Sequence, residues 1–460
     1  MILLPHQIED AAFLASRRFA GCFSGMGSGK TRTALEAARL VGAAPLVIIA
    51  PPIALRMWAR EAEDHLGVTA QILKTGTTKI DPAARILIMS YEIATKRVME
   101  LKERAFDART QHVLQTRGDL GARAALICDE SHALKSTTAK RTRAILGHGG
   151  LCSAFDHSWL LTGTPSTRWN DDLIPFLFRA APETMKAKLG GLSIERFQLR
   201  YTIRKQKTFP GARFPVTMTI GSRNTEELRE ILYTGANRVA VRRELADVWA
   251  AMPPITHNRY SISLSSSPEL TAALADLRSM SRAQVEEKLA AKDPALSTMR
   301  RMIGLGKVAA AAEVIAERAG DTAGAVLVGA WHTEVIDGLC AAVRAKGLRC
   351  EILDGRTSMS RKAELEAMFN AGSLDVLVGQ IGAMGVSLNL QRGGNCIIVV
   401  EEDWSPAIMD QFYARLYRMG QEKHVHVDTL ETETKIDEAI HKISREKARH
   451  HQKLNAGEEA

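Results

Sequence analysis

The chain has 460 residues, of which 45% are hydrophobic and 25% are charged. This composition is typical of a globular protein, and the length allows about three domains or two large ones. No apolar run approaches the ~18 residues that span a bilayer, and the opening MILLPHQIEDAAF lacks the basic start of a secretory signal. We therefore expect a cytoplasmic protein without a membrane partner.

Charge and cysteine content narrow the class further. The six cysteines are scattered without a C-x-x-C pair, which argues against a zinc site and favours a reducing cytosol. The net charge of +9 fits a polyanionic partner such as nucleic acid, although it is weak evidence by itself.

Two series of short apolar runs alternate with helical patterns. Runs of four to eight apolar residues between amphipathic segments are typical of buried parallel strands. The predicted strands are 19–23, 45–50, 85–90, 125–128 and 158–161 in the first series, and 325–330, 349–353, 375–379 and 396–400 in the second. The helical patterns of the second series are 333–346, 358–370 and 406–418.

These patterns predict an α/β protein with two lobes, each built on a parallel sheet flanked by helices. The expected lobes are residues 1–167 and 304–460, the second ending in a helical tail. The middle, 168–303, lacks strand alternation except at RYSISLS (259–265), and we expect it to be a mostly helical block between the lobes.

A Gly-rich segment, SGMGSGKT (24–31), joins the first predicted strand to a helical pattern. It misses the strict pattern G-x-x-x-x-G-K-[ST] because position 24 is Ser, so an ordinary Gly-rich turn is the alternative. Strand, loop and helix are nevertheless the context in which backbone N–H groups and a helix N-terminus bind phosphates. In this hypothesis Lys30 adds a positive charge and Thr31 coordinates Mg²⁺. The predicted nucleotide-binding residues of the loop are Gly25, Gly27, Ser28, Gly29, Lys30 and Thr31.

Acidic residues follow the predicted strand 125–128, in the sequence DESH (129–132). The ends of parallel strands are where ligands collect in open α/β sheets. Asp129 is placed to hold Mg²⁺ through water, and Glu130 to orient and deprotonate the attacking water. A lone D-E-x-H is common on surface helices, but its place downstream of a phosphate loop favours an active site. The next strand ends in TGTP (162–165), whose hydroxyl groups could pass on the state of the γ-phosphate.

Two arginines and a glutamine share one face of the predicted helix 406–418. Gln411, Arg415 and Arg418 stand at i, i+4 and i+7. Two arginines on a packed helix suit arginine fingers that contact a γ-phosphate. A solvated basic face is the alternative, and the phosphate loop in the same chain favours the fingers.

These segments, in this order, resemble the superfamily-two helicases and, among them, the Swi/Snf family of double-stranded DNA translocases. LLPHQ (3–7) resembles the adenine-reading Q motif, with Gln7 as the amide that contacts the base. SGMGSGKT resembles motif I, which in this family also lacks the first Gly. DESH and TGTP resemble motifs II and III, RVAVRRELADVWAAMPP (238–254) resembles the segment that links the lobes, and residues 382–421 resemble motifs V and VI. Glu401 stands where many members carry Asp, as in the annealing-helicase subgroup.

The resemblance implies two RecA-like lobes that bind ATP and Mg²⁺ between them, with Lys30, Thr31 and Asp129 on one side and Arg415 and Arg418 on the other. It adds further residues to the expected site. These are Gly385 for the nucleotide, His132, Thr162, Thr164 and Gln411 for coupling, and Pro51, Pro52, Ser90, Tyr91 and Asn389 for nucleic acid.

The function implied is a nucleic-acid-stimulated ATPase that translocates on duplex DNA without sequence specificity, because backbone contacts are largely sequence-independent. An RNA or single-stranded DNA helicase is the alternative enzyme, and an ATP-gated DNA-binding switch is a third hypothesis. No wedge element for strand separation is recognisable, and RYTIRKQKTFPGAR (200–213) is either an additional grip or a solvated loop. The lack of zinc clusters and charged extensions suggests a bare motor of a bacterial or phage-infected cell.

Overall fold

The chain forms two compact units in the computed structural model, Met1–Val248 with Arg449–Ala460, and Trp249–Ala448. Each unit holds one parallel sheet with helices around it, which confirms the predicted fold class. The structure describes residues 3–103, 123–167, 169–207, 214–249, 252–290, 293–322, 324–384 and 388–456.

Seven parallel strands form the sheet of the first unit. They are β1 (Phe19–Cys22), β2 (Leu46–Ile49), β3 (Gln71–Ile72), β4 (Ile86–Met89), β5 (Ala125–Cys128), β6 (His157–Leu161) and β9 (Ala240–Val241). Their order is β3-β4-β2-β5-β6-β1-β9. The five strands expected from apolar runs are all present, and β2, β4 and β5 are buried along their whole length. This burial fits a sheet covered on both faces.

Helices cover this sheet on two sides. Alternate residues of β2 belong to different core clusters, since Val47 packs with Phe23 on one side and Ile48 packs with Trp58 on the other. The helices of the first unit are Pro5–Ala15, Lys30–Leu40, Leu55–Leu66, Tyr91–Glu103, Lys140–Ile145, Ile174–Ala180, Pro182–Leu189, Ile194–Tyr201, Thr225–Arg229 and Leu245–Val248.

Six parallel strands form the sheet of the second unit. They are β10 (Ile255–Ser261), β11 (Val326–Ala330), β12 (Cys350–Leu353), β13 (Val376–Gln380), β14 (Cys396–Val399) and β15 (Val425–Glu431), in the order β10-β15-β14-β11-β13-β12. Its helices are Pro268–Ser279, Arg282–Ala290, Pro294–Asp321, Thr333–Ala345, Met359–Asn370, Ile381–Met384 and Pro406–Tyr413, and Lys435–Ala456 follows β15. No helix within the described residues combines the length and apolar composition that crossing a bilayer requires.

The middle block, expected to be mostly helical, contains three strands that were not expected. Residues 202–222 contain an antiparallel pair, β7 (Thr202–Lys207) and β8 (Val216–Ser222), while β9 pairs with β1. The strand expected at 259–265 is present as β10, which begins four residues earlier. The three unexpected strands are polar or very short, so they lack the apolar run that marks a buried strand. The boundary between the units follows Val248, inside the expected block 168–303.

Candidate nucleotide-binding and hydrolysis site

The phosphate loop connects β1 to the helix Lys30–Leu40. Gly27 and Gly29 have φ values of 77° and 83°, a left-handed conformation that favours glycine. Gly29 caps the helix, so the free N–H groups of its first turn lie at the loop. Ser28 is buried, and its Oγ has no hydrogen-bond partner within the described part of the chain. The loop therefore has a backbone form that suits a phosphate group, and a buried hydroxyl that such a ligand would satisfy.

Lys30 lies over its own loop. Its Nζ donates to the carbonyl oxygens of Ser24 at 2.8 Å and Gly25 at 3.0 Å. Burial lowers the pKa of Lys30, and the charges of Glu130 and Asp129 oppose that shift. An ammonium group has three donors, so these two bonds leave one for an anionic ligand.

Ser24, the residue that departs from the strict loop pattern, fastens the loop to a neighbouring segment. Its Oγ accepts a hydrogen bond from the N–H of Arg243 at 3.1 Å. The N–H of Gly25 donates to the carbonyl of Arg243 at 2.8 Å, and the N–H of Phe23 donates to Val241 at 2.8 Å. The start of the loop is thus held as an extension of the β1–β9 pairing.

The side chains of Arg242 and Arg243 continue this attachment. Arg242 Nη1 donates to the carbonyl of Phe23 at 2.6 Å and to that of Gly163 at 3.3 Å, joining the ends of β1 and β6. Arg243 donates to Asp10 in the first helix, with Nε 3.2 Å from Oδ1. The sequence analysis assigned these arginines to a segment that links the lobes and did not predict that they position the phosphate loop. The charged pair after Ala240 and Val241 was the signal available for this role.

The expected adenine-contacting residue, Gln7, is buried in the first helix. Its Oε1 accepts from the N–H of Leu4 at 2.9 Å, which fixes the amide plane. The adjacent His6 reaches the loop, with Nε2 3.1 Å from the carbonyl oxygen of Ser28. The helix therefore contacts the phosphate loop, while base recognition by Gln7 stays a prediction.

The acidic pair begins directly after β5. Asp129 Oδ2 accepts from Trp58 Nε1 at 2.8 Å, and Oδ1 accepts from the N–H of Glu130 at 3.0 Å. Burial and the neighbouring charge of Glu130 raise the pKa of Asp129. Glu130 has a φ of 48°, a strained value for a residue with a side chain. Trp58 is distant in sequence and was missed as the group that orients Asp129.

The structure brings together three of the residues expected to couple hydrolysis to movement. His132 Nδ1 lies 3.2 Å from Glu130 Oε2 and 3.3 Å from Thr162 Oγ1. Thr162 Oγ1 also accepts from the N–H of Thr164 at 3.1 Å. His132 Nδ1 thus lies within 3.3 Å of both the Glu130 carboxylate and Thr162, and we call the series Glu130, His132, Thr162 and Thr164 the polar path.

The residues expected to contact nucleic acid in the first unit differ in exposure. Pro52 is exposed and Pro51 is half-buried. Ser90 and Tyr91 are buried; Ser90 Oγ accepts from Ile93 N–H, and Tyr91 OH donates to the Asp129 carbonyl at 2.6 Å. The latter two side chains support the site, and their contact with nucleic acid stays a prediction.

In the second unit the predicted helix 406–418 ends at Tyr413, so the helical face proposed for Gln411, Arg415 and Arg418 was wrong. The carbonyl of Arg415 accepts from the N–H of Leu390 at 3.1 Å, a tertiary bond that periodicity does not reveal. Both arginines nevertheless converge on one atom, the Leu388 carbonyl oxygen, at 3.1 and 3.3 Å.

Arg415 is buried and also donates through Nε to the carbonyl of the half-buried Gln411 at 2.8 Å. Burial lowers the pKa of Arg418, against the charge of Glu366. Asn389 is half-buried, and its carbonyl accepts from Asn370 Nδ2 at 2.7 Å. The predicted nucleotide contact Gly385 lies outside the described residues.

Comparisons with known proteins identify the family of the chain. The model of the SNF2-related domain matches residues 6–291, and that of the helicase conserved C-terminal domain matches 306–420. The chain is 27% identical over 459 residues to the Caenorhabditis elegans homolog of SWI/SNF-related matrix-associated actin-dependent regulator of chromatin subfamily A-like protein 1. It is 25% identical over 458 residues to the Mus musculus DNA annealing helicase and endonuclease ZRANB3.

Both alignments cover 97% of this chain, which spans 61% of the length of the first relative and 40% of the second. A solved structure of the Sulfolobus solfataricus SWI2/SNF2 ATPase core in complex with dsDNA is 16% identical, with a TM-score of 0.40. That alignment covers 99% of this chain and 94% of the other.

Proposed function

The chain belongs to the SNF2-related family, and we propose that it is an ATP-driven motor that moves along duplex DNA without reading its sequence. One observation carries the proposal. The phosphate loop, the acidic pair and the hydroxyl residues Thr162 and Thr164 follow β1, β5 and β6, and so lie at one edge of the first sheet. That edge is where open α/β sheets bind their ligands.

ATP is the substrate that this edge supports. The N–H groups of the loop and the third donor of Lys30 would bind the phosphates, and the unsatisfied Ser28 Oγ would gain a partner. Thr31 and Asp129 would hold Mg²⁺, which neutralises phosphate charge when bound. Glu130 would orient water and accept its proton. Trp58 keeps the Asp129 carboxylate in one orientation.

A route from hydrolysis to movement is supported by the polar path at the end of β6. Glu130 is joined to Thr162 through His132, so a change around Glu130 would alter the hydrogen bonds of Thr162. Thr162 in turn holds the N–H of Thr164. We propose that this path passes the state of the nucleotide to the segment that follows β6.

Duplex DNA is the proposed track. The net charge of +9 fits a polyanion, and a relative is named a DNA annealing helicase. Contacts to phosphates give binding that depends on salt and little on sequence.

The redox state of the cysteines bears on the cellular compartment. The six cysteines are free and buried, which supports action in a reducing cytosol.

Steady-state ATP hydrolysis with and without nucleic acid tests the proposal. Wild-type turnover should rise strongly with duplex DNA, and the rise should weaken with salt. Glu130→Gln should bind ATP yet lose about 10³-fold in turnover, because water is no longer activated. The matched control is Asp64→Asn, which removes one exposed carboxylate from the helix Leu55–Leu66 and should leave turnover unchanged.

The other functions predict different outcomes of this assay, combined with an assay of movement along DNA. Stimulation by RNA or single strands alone would favour a helicase of those substrates. Duplex-stimulated hydrolysis without movement would favour an ATP-gated switch. Normal turnover of Glu130→Gln would refute the assigned role of Glu130.

A further inference from the structure

An antiparallel ribbon extends the first unit outside the motifs of the nucleotide site. Strands β7 and β8 pair from Thr202↔Ser222 to Lys207↔Val216, with a register shift between Ile203 and Arg204. They form a separate two-stranded sheet. A two-stranded ribbon needs packing on at least one face for stability.

One face of the ribbon is fixed to the rest of the first unit. Ser222 Oγ accepts from the N–H of Asn170 at 2.9 Å. Thr219 Oγ1 donates to Asp171 Oδ2 at 3.1 Å. These bonds fix β8 at Thr219 and Ser222, while Arg204, the cross-strand partner of Thr219, keeps an exposed side chain. The described part of the ribbon therefore has a defined position in the first unit.

The ribbon also presents apolar side chains to solvent. Ile203 is 46% exposed, and Ile220, at the register shift, is 50% exposed. Ile203 packs over Gly221, where an added Cβ would lie 3.2 Å from its Cδ1. On the same face, Lys205 pairs with Met218. Aliphatic and cationic side chains thus stand side by side on one surface.

The charged residues in the ribbon and its flanking residues are all positive. Residues 200–223 contain six Arg and Lys and no Asp or Glu. Arg200, at the start, is neutralised by Glu227 at 3.0 Å. Arg204 and Lys205 are exposed, and within the described residues neither forms an ion pair. Lys205 lies on the face of Ile203 and Arg204 on the other face, so the ribbon presents positive charge on both faces to a polyanionic occupant.

We propose that the ribbon β7–β8 is a nucleic-acid-binding element of the motor, with Arg204 and Lys205 contacting phosphates and Ile203 and Ile220 contacting exposed bases. The proposal rests on the proposed function and adds a preference to it. In a continuous duplex the base faces are stacked and only phosphates and groove edges are accessible. At a fork the bases are unstacked, and apolar side chains can pack against them. The ribbon should therefore favour DNA with a branch over an uninterrupted duplex.

Binding measurements with three probes test the proposal. Fluorescence anisotropy of the full chain gives the Kd for a labelled duplex, for the same duplex with two single-stranded arms, and for a single strand. Each Kd is measured over a range of salt. The charge variant is Arg204→Gln with Lys205→Gln, and the apolar variant is Ile203→Ser with Ile220→Ser.

A matched control exists at the amino ends of the strands of the first sheet, away from the phosphate loop. Arg85 and Arg123 are exposed and precede β4 and β5; within the described residues they form no ion pair. Arg85→Gln with Arg123→Gln removes the same charge from the edge away from the ligand site. ATP hydrolysis without DNA should stay at the wild-type rate in all three variants, which also verifies folding.

The expected result separates the two kinds of contact. The charge variant should weaken binding of every probe. It should also reduce the slope of log K against log salt concentration by about 2, because each of the two lost phosphate contacts removes about 0.9. The apolar variant should weaken binding of the forked and single-stranded probes, with the duplex Kd and the salt slope unchanged. The control should bind all probes as the wild type does.

Three outcomes would overturn the proposal. Wild-type affinity and salt slope in both ribbon variants would show that the ribbon does not contact nucleic acid. Equal losses in the charge variant and the control would show general electrostatics. Wild-type protein that binds none of the probes would refute the proposed function itself.

Discussion

Arg242 offers a quantitative test of how the phosphate loop is held. Its side chain is only 10% exposed and pairs with Glu244 at 2.6 Å, while Nη1 donates to the carbonyls of Phe23 and Gly163. Arg242→Lys keeps the charge and replaces a planar fork of five donors by a single ammonium group. The single Nζ of lysine cannot occupy the positions of Nε, Nη1 and Nη2 at once, so at least one charged hydrogen bond is lost.

The cost follows from the bonds that lysine cannot form. A hydrogen bond from a charged group contributes about 1.5–3 kcal/mol to the free energy of unfolding. A loss of about 2 kcal/mol corresponds to a Tm lower by ~4–8 °C for a unit of this size. Because Phe23 directly precedes the loop, KM for ATP should also rise while kcat changes less.

Thermal unfolding and ATP hydrolysis of Arg242→Lys would be measured beside Arg85→Lys, a substitution of an exposed arginine. The control should match the wild type in Tm and KM. If Arg242→Lys also matched the wild type in both, the attachment of the loop through Arg242 would be refuted. A lower Tm with unchanged KM would limit Arg242 to a structural role.

Three further predictions concern single side chains. Thr162→Val removes the hydroxyl that meets His132; hydrolysis without DNA should persist while the ratio of turnover with and without duplex falls. Arg418→Ala should reduce kcat with little change in KM for ATP, whereas a change in KM alone would make Arg418 a binding residue. Burial acts to raise the pKa of Glu401, but hydrogen bonds from His332 hold it below its ordinary value. A depressed carboxyl pKa stabilises the fold above the unfolded value and loses this as pH falls. Below about pH 4.5, the free energy of unfolding should therefore fall more steeply in the wild type than in Glu401→Gln; parallel curves would refute this.

The two sheets were largely predictable because their central strands are continuous apolar runs. Nine such runs correspond to β1, β2, β4, β5, β6, β11, β12, β13 and β14. The strands that were missed have another physical basis. In β15, Val425 and Val427 are buried between polar residues, and β7 is held by pairing with β8 and by bonds at its base. Such strands depend on tertiary partners, which a local pattern does not contain.

The residues of the site also divide into those that the sequence predicts and those that depend on tertiary contacts. The phosphate loop, the acidic pair and the hydroxyl residues after β6 were predictable because each follows a buried strand. Their supporting groups were not predictable, since Trp58 meets Asp129 across 71 positions and Arg242 meets Phe23 across 219. After the helix ends at Tyr413, the carbonyl of Arg415 accepts from the N–H of the distant Leu390. Contacts between distant segments leave no periodic signal.

Displacement of a third strand from a DNA triplex tests the central claim most directly. A motor that moves along the duplex should strip a labelled triplex-forming strand when ATP is added, at a rate that falls with increasing salt. Glu130→Gln should bind the same triplex and leave the strand in place, while Asp64→Asn should behave as the wild type. Strong hydrolysis on duplex DNA without strand displacement would contradict translocation and leave a switch that hydrolysis only resets.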